Sequence, residues 1–309
     1  MCFLLSLVKS NCTALDNPHD KFFKATFSRK DVVATLIESR FPEPLRKRLD
    51  VNSLELTNGS FIDNELSEHF ADLVYDCTYS AQQVVKIALL IEHKSYQEDY
   101  PHLQLLRYLL NIWQEDRKQN RKLTPVIPIV IYHGQGRWKY APLQSYFEGI
   151  DSTLEEYIPE FRYLLHDLSA WSDKDILAFK NQFLALATFL LKHSRAEQFL
   201  ERFQADVSPI VSLLAAANER NFIESVFVYI FRMESSLTKD EILAIFRQIS
   251  PQTEEIVMSA YDQTLESINL GVIKRAFQKG FKVDVIAEIV NLPIQKVEEV
   301  IEKIKKGFL

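Results

Sequence analysis

Glu92 and Lys94 stand two residues apart in the run Ile91-Glu92-His93-Lys94-Ser95. If that run ends a β-strand, both side chains leave the same face and the His93 carbonyl lies between them. Asp72 falls near the start of the preceding predicted strand, and in an antiparallel hairpin the start of one strand lies beside the end of the next. The three groups can therefore converge. Two carboxylates and a backbone carbonyl are hard oxygen ligands suited to Mg²⁺, with Mn²⁺ or Ca²⁺ able to substitute in binding. A lysine ammonium beside them can orient an attacking water or stabilise charge developing on phosphorus, so the composite chemistry is in-line phosphodiester hydrolysis. The same residues also fit a plainer arrangement, in which Asp72 and Glu92 are sheet-edge charges and Lys94 their surface partner. A D…ExK pattern is common by chance. Ionisable groups closing an otherwise apolar strand tilt the reading toward a site.

The elements that must position these groups follow from periodicity. Residues 71–79 read as a strand and 80–83 as a hairpin connection. Residues 84–93 then form a partner strand, whose Val-Val-Lys-Ile-Ala-Leu-Leu-Ile run is nearly continuous in apolar character, as in a strand covered on both faces. Residues 101–118 carry Leu103, Leu106, Leu109, Leu110 and Trp113 at helical spacing and read as a crossover helix leading to a third strand over 124–132. Upstream, 17–40 reads as helix with an interruption at Ser-Arg-Lys-Asp, ended by Phe41-Pro42-Glu43-Pro44. A short helical or irregular stretch follows to Leu56, then a turn signal at 57–60. A possible strand covers 161–165. From Ser172 the pattern is helix after helix, with Asp173, Ser208, Ser236 and Thr238 as caps. Asn291-Leu292-Pro293 separates two short helices near the end, in a helix-turn-helix-like shape. The expected domains are 1–170, a helical region 171–265 and the helix pair 266–309.

Composition narrows the alternatives. The chain has 47% hydrophobic and 25% charged residues, which suits a globular protein. No GxGxxG or GxxxxGK[ST] run is present, so a nucleotide-cofactor enzyme is a poor fit. Cys2, Cys12 and Cys77 have no CxxC spacing, which argues against a zinc site and for a reducing, cytoplasmic setting. No apolar run approaches a membrane span. The net charge of -6 is uneven: residues 1–142 hold 18 Lys+Arg against 17 Asp+Glu, leaving 18 against 25 for the rest. Arg107, Arg117, Lys118, Arg121, Lys122, Arg137 and Lys139 fall within 101–142, a segment able to face phosphates or simply to be solvated.

The strings Asn17-Pro-His19-Asp20-Lys21-Phe-Phe-Lys, Ala71-Asp72-Leu73, Ile91-Glu92-His93-Lys94-Ser95, Leu106-Arg107-Tyr108 and Pro128-Ile129-Val130-Ile131-Tyr132-His133-Gly134 with Trp138, in this order, resemble the recombination-promoting nucleases. These are also described as PD-(D/E)XK nuclease family transposases. The likeness covers roughly residues 15–170. It implies an α/β, restriction-endonuclease-like mixed sheet flanked by helices, here followed by an all-helical C-terminal region. It also implies Asp72 and Glu92 as metal ligands with Lys94 completing the motif, where many relatives carry glutamine. Ala71 replaces the proline of the motif's name, a position of backbone shape and no chemistry. Gln104, one turn into the helix after Lys94, sits where this superfamily often has a supporting polar residue.

Other residues have two readings each. Asp20 can be a further acid near the metal, or an N-terminal acid favouring the helix dipole. Tyr132-His133-Gly134 can touch substrate or be a structural turn. Cys77, Trp113 and Trp138 read as core. The C-terminal helix pair carries Asp284, Glu288, Glu298 and Glu299, which suits packing or homo-oligomerisation better than phosphate binding. The expectation is thus a Mg²⁺-dependent endodeoxyribonuclease acting on DNA in recombination or mobile-element biology. The alternatives are a non-catalytic DNA-binding or protein-interaction module retaining the fold, and an RNA-cleaving toxin of the same metal chemistry.

Overall fold

A computed structural model describes residues 18–57, 70–80, 83–92, 100–134, 136–196, 198–233 and 238–306. The chain divides into two compact units, His19–Leu214 and one that takes Ala215 onward.

The first unit begins with α1 (Pro18–Phe27) and α2 (Lys30–Arg40), whose Phe22, Phe23, Phe27, Val32, Val33, Leu36 and Ile37 are all buried. Five strands follow: β1 (Leu49–Leu56), β2 (Phe70–Tyr79), β3 (Gln83–Glu92) and, after α3 (Pro101–Lys118), β4 (Val126–Tyr132) and β5 (Leu164–Asp167). They lie side by side in chain order. The pairs β1–β2 and β2–β3 are antiparallel, whereas β3–β4 and β4–β5 are parallel. The apolar run of β3 is explained by its central place, with Val85, Ile87 and Leu89 buried on one face and Ala88 and Leu90 on the other.

One face of the sheet packs Val74, Ala88, Leu90, Val130 and Tyr132 against Leu105, Tyr108 and Ile112 of α3, with Trp138 and Tyr163 closing the cluster. The opposite face meets the helices. Tyr75 Oη donates to the Phe27 carbonyl at 2.8 Å, and a small cavity there is lined by Phe27, Leu36, Ile131 and Leu184. Leu184 belongs to α4 (Gln182–His193), whose cap Asn181 donates its Nδ2 to Asp31 Oδ2 of α2 at 2.8 Å.

Three expectations need correction. Residues 49–56 form a strand, although Asp, Asn, Ser and Glu have poor strand preference. Pairing along β2, interrupted by a register shift between Asp50 and Glu55, overrides that preference. In α3 the sheet-facing stripe runs through Leu105, Tyr108, Leu109 and Ile112, while Leu103 and Leu110 are exposed. Ser172, rather than Asp173, caps its helix by accepting from the Asp175 amide. Asp173 instead takes Lys192 Nζ at 2.6 Å and His193 Nε2 at 2.9 Å. The Thr238 cap is observed, in a reciprocal box with Glu241.

Buried titratable groups leave a pH signature. His166 on β5 is 6% exposed, and burial, aided by the Arg40 guanidinium, pushes its pKa down from 6.5 to about 4. Below pH 6.5 the unfolded chain takes up a proton that the fold refuses. Stability therefore falls as pH drops from 6.5 toward 4, by roughly 3 kcal/mol from this group. The expected result is a melting temperature that declines over this window in the native chain and declines less in His166→Gln. Equal slopes in the two would reject His166 as a source.

The second unit is helical: α5 (Arg220–Met233), α6 (Lys239–Ile249), α7 (Pro251–Gln278), α8 (Val283–Val290) and α9 (Ile294–Lys305). Between the last two, Asn291 adopts the left-handed conformation at φ 52°, where an asparagine is tolerated. Ile273, Ile286, Ala287, Val290, Val297 and Ile301 form a cluster joining them to the end of α7. Among the described residues, no helix is long and apolar enough to cross a membrane.

Candidate active site

Asp72 sits three residues into β2 and is only 2% exposed. Its strand partner is Leu90, while Glu92, at the end of β3, pairs with Phe70 on one side and Tyr132 on the other. Directly opposed residues share a face and the strand period is two, so positions 72, 90 and 92 belong to one face. Residues in the diagonal relation of Asp72 and Glu92 stand about 7–8 Å apart. The hairpin inferred from sequence is thus present, with this register. His93 and Lys94 lie outside the described residues, as does the 58–60 part of the expected turn, and of Glu92 the backbone is described.

The carboxylate of Asp72 is held from α3. Tyr108 Oη donates to Asp72 Oδ2 at 3.1 Å, and Tyr108 is itself fully buried. Burial, with the Asp72 charge adding to it, raises the Tyr108 pKa well above 10, so the phenol stays a donor. The sequence hid this partner. Tyr108 lies in the apolar stripe of an amphipathic helix, where an aromatic reads as core, and nothing in its spacing announces a hydroxyl aimed at an acid.

Gln104 lies one turn before Tyr108 on the same face of α3. Four residues advance a helix by about 6 Å, and two residues advance a strand by about 6.6 Å, so Gln104 stands about as far beyond Tyr108 as Glu92 does beyond Leu90. Asp20 on α1 forms an i,i+4 ion pair with Lys24 at 3.2 Å. Its neighbour His19 packs its ring 4.4 Å from that of His133, just past β4, so the start of α1 reaches the same end of the sheet as Asp72 and Glu92.

Tyr132-His133-Gly134 is built tightly. Tyr132 is fully buried with its ring 5.1 Å from Trp138, and a Cβ at Gly134 would fall within the Tyr132 phenol. His133 is 2% exposed. Cys77 is buried, as expected of a small hydrophobe, with its Sγ 3.4 Å from the Asp50 carbonyl. Trp138 is core, while Trp113 is partly buried and donates Nε1 to the Thr124 carbonyl at 2.9 Å. Apart from Arg107 in the middle of α3, the basic residues of 101–142 separate into two groups. Arg117, Lys118, Arg121 and Lys122 cluster at the end of α3 remote from Pro101, a helix of 18 residues and therefore about 27 Å long. Arg121 there serves the buried Asp116 at 2.8 Å. Arg137 and Lys139, both exposed, follow β4 on the side of Glu92.

The family described as "Putative transposase, YhgA-like" matches residues 17–221. The chain belongs to this family. The YhgA-like match covers the whole of the α/β unit and includes positions 72, 92, 94, 104 and 20. The mixed five-stranded sheet with helices on both faces agrees with a restriction-endonuclease-like core. Among curated YhgA-like relatives, "Recombination-promoting nuclease RpnD" of Escherichia coli O157:H7 is 24% identical over 247 residues, 78% of this chain and 92% of that protein. "Recombination-promoting nuclease RpnA" of Escherichia coli strain K12 is 25% identical over 248 residues, 78% of this chain and 81% of that one. "Inactive recombination-promoting nuclease-like protein RpnE", from the same strain, is 22% identical over 293 residues, covering 89% and 95%. No solved structure matches the chain.

Proposed function

We propose that this chain is a divalent-cation-dependent endonuclease that hydrolyses DNA phosphodiester bonds in recombination or the movement of genetic elements. The observation that carries the reading is the β2–β3 register, which sets Asp72 and Glu92 on one face at the sheet end. The nuclease names of RpnD and RpnA support it.

The residues suit a hard cation. Asp72 is a carboxylate 2% exposed whose Oδ2 accepts from Tyr108, and a carboxylate oxygen is a hard ligand of the kind such an ion takes. Asp72, Glu92 and the His93 carbonyl would hold Mg²⁺. When bound, the ion supplies Lewis-acid activation of phosphate and water. Tyr108 fixes the Asp72 carboxylate by donating to Oδ2. Lys94 would supply the ammonium that orients the nucleophile or meets charge on phosphorus, and Gln104 and Asp20 would support substrate or ligand from α3 and α1.

RpnE, named inactive, favours a second reading in which the fold is kept for binding alone. One experiment separates them. Supercoiled plasmid incubated with the full chain and Mg²⁺ is expected to be nicked, with the rate falling about a hundredfold or more in Lys94→Ala. Loss of all cutting on chelation, restored by Mg²⁺ or Mn²⁺, is the companion result. A native chain that never cuts DNA, or a Lys94→Ala chain as active as native, rejects the assignment, and preferential cutting of RNA corrects the substrate.

A further inference from the structure

An aromatic shelf adjoins the candidate site. His102, in the first turn of α3, is fully buried, and neither ring nitrogen has a hydrogen-bond partner among the described residues. Around it stand Phe161 and Tyr163 at 5.2 Å, Tyr146 at 5.6 Å and Tyr140 at 6.0 Å, all edge-on at 63° to 70°. Burial lowers the His102 pKa, so the ring is a neutral member of the cluster. A buried imidazole without hydrogen bonds is costly, and aromatic faces against its edge are its compensation. What the cluster holds up is exposed. Tyr140 is 41% exposed, and Tyr100, set 5.2 Å from Tyr146 at 75°, is 52% exposed.

Cations stand among these rings. Exposed Arg137 and Lys139 alternate with Trp138 and Tyr140, and exposed Arg162 lies between Phe161 and Tyr163. Aromatic faces interleaved with cations suit a single nucleic-acid strand, in which bases stack on the rings and phosphates meet the charges. The acids Glu148, Asp151, Glu155, Glu156 and Glu160 lie between the limbs 137–140 and 161–163, and Glu98 and Asp99 precede Tyr100 in sequence, so the cations that border the rings are Arg137, Lys139 and Arg162. His102 precedes Tyr108 by six residues, about 9 Å along the helix, a span of two or three stacked nucleotides from Asp72.

We infer that Tyr100 and Tyr140, braced by His102, form a stacking platform for unpaired bases, so that the chain takes single-stranded or locally unpaired DNA. This rests on the proposed nuclease reading for its substrate, but not for its measurement. Bases within an intact duplex are stacked on one another and cannot present their faces to the shelf.

The test uses the native full chain in metal-free buffer and a DNA strand of about 15 nucleotides carrying 2-aminopurine, alone or annealed to its complement. Binding with a fluorescence change is expected for the single strand. Tyr100→Ala and Tyr140→Ala should each weaken it by roughly tenfold, whereas the Phe variants, which keep a stacking face, should bind as the native chain does. Equal affinity for the annealed duplex, or no loss in either Ala variant, overturns the platform. A chain that cuts plasmid but shows this second pattern retains the nuclease assignment and loses the shelf. One that binds as expected but never cuts retains the shelf and loses the nuclease assignment.

Discussion

Replacing Asp72 by Asn is expected to abolish DNA cutting while leaving the fold as stable as before or more so. Asparagine preserves the shape of the side chain and an oxygen able to accept from Tyr108 Oη, the contact seen at 3.1 Å. It removes a charge from a position 2% exposed, beside Val74 and Leu90. Without metal, a carboxylate buried to this depth is held at a desolvation cost, and a neutral amide relieves it. In the proposed site that charge is one of two carboxylates that would hold the ion, and its loss should lower the cleavage rate by about a hundredfold to a thousandfold. Such opposition between stability and activity marks a functional group. Tyr108→Phe, which removes the donor and keeps the ring, should raise the Mg²⁺ concentration needed for half-maximal cutting more than it lowers the rate at saturating metal. Melting curves in chelator and cleavage assays across a Mg²⁺ series measure both effects. A large fall in melting temperature for Asp72→Asn, or undiminished cutting, would remove Asp72 from the centre of the site.

The second large effect is expected at Gly134. Its backbone is not in the left-handed region, so conformation alone would admit alanine; space does not. The added methyl would fall within the phenol of Tyr132, whose ring is fully buried against Trp138. Tyr132 would have to leave a cluster that also contains Leu90, Tyr108 and Val130. Overpacking of this kind typically costs about 1–3 kcal/mol, and here the displaced ring belongs to the residue paired with Glu92. Gly134→Ala should therefore lower the melting temperature and reduce cutting together. Gly136→Ala, where a Cβ meets nothing within 4 Å, should change neither. A stable, fully active Gly134→Ala chain would show that the turn yields easily.

Much of this arrangement was legible in the order of residues, for physical reasons. The β3 run is apolar because both its faces are covered, and it ends in charge because the sheet ends there. Prediction and structure agree closely over β2, β3 and β4, which span Phe70–Tyr79, Gln83–Glu92 and Val126–Tyr132. The helix over 101–118 agrees at both ends, since Pro101 starts it and a basic last turn closes it. What stayed hidden depended on distant partners. β1 is polar in composition and exists because β2 offers it a ladder. Tyr108 and His102 owe their roles to neighbours far away in sequence, and no local spacing encodes an acid or an aromatic cage brought in from elsewhere in the chain.

The strictly sequential strand order leaves β1 at a margin of the sheet, a rank of amides and carbonyls to which a second molecule's strand could add. That margin is ill suited to templating. The shift between Asp50 and Glu55 breaks its regularity, and Lys30 Nζ takes the Asn52 carbonyl. With Asp50, Asn52 and Glu55 along it, the chain meets its own copies in crowded solution with a margin that resists growth into fibres.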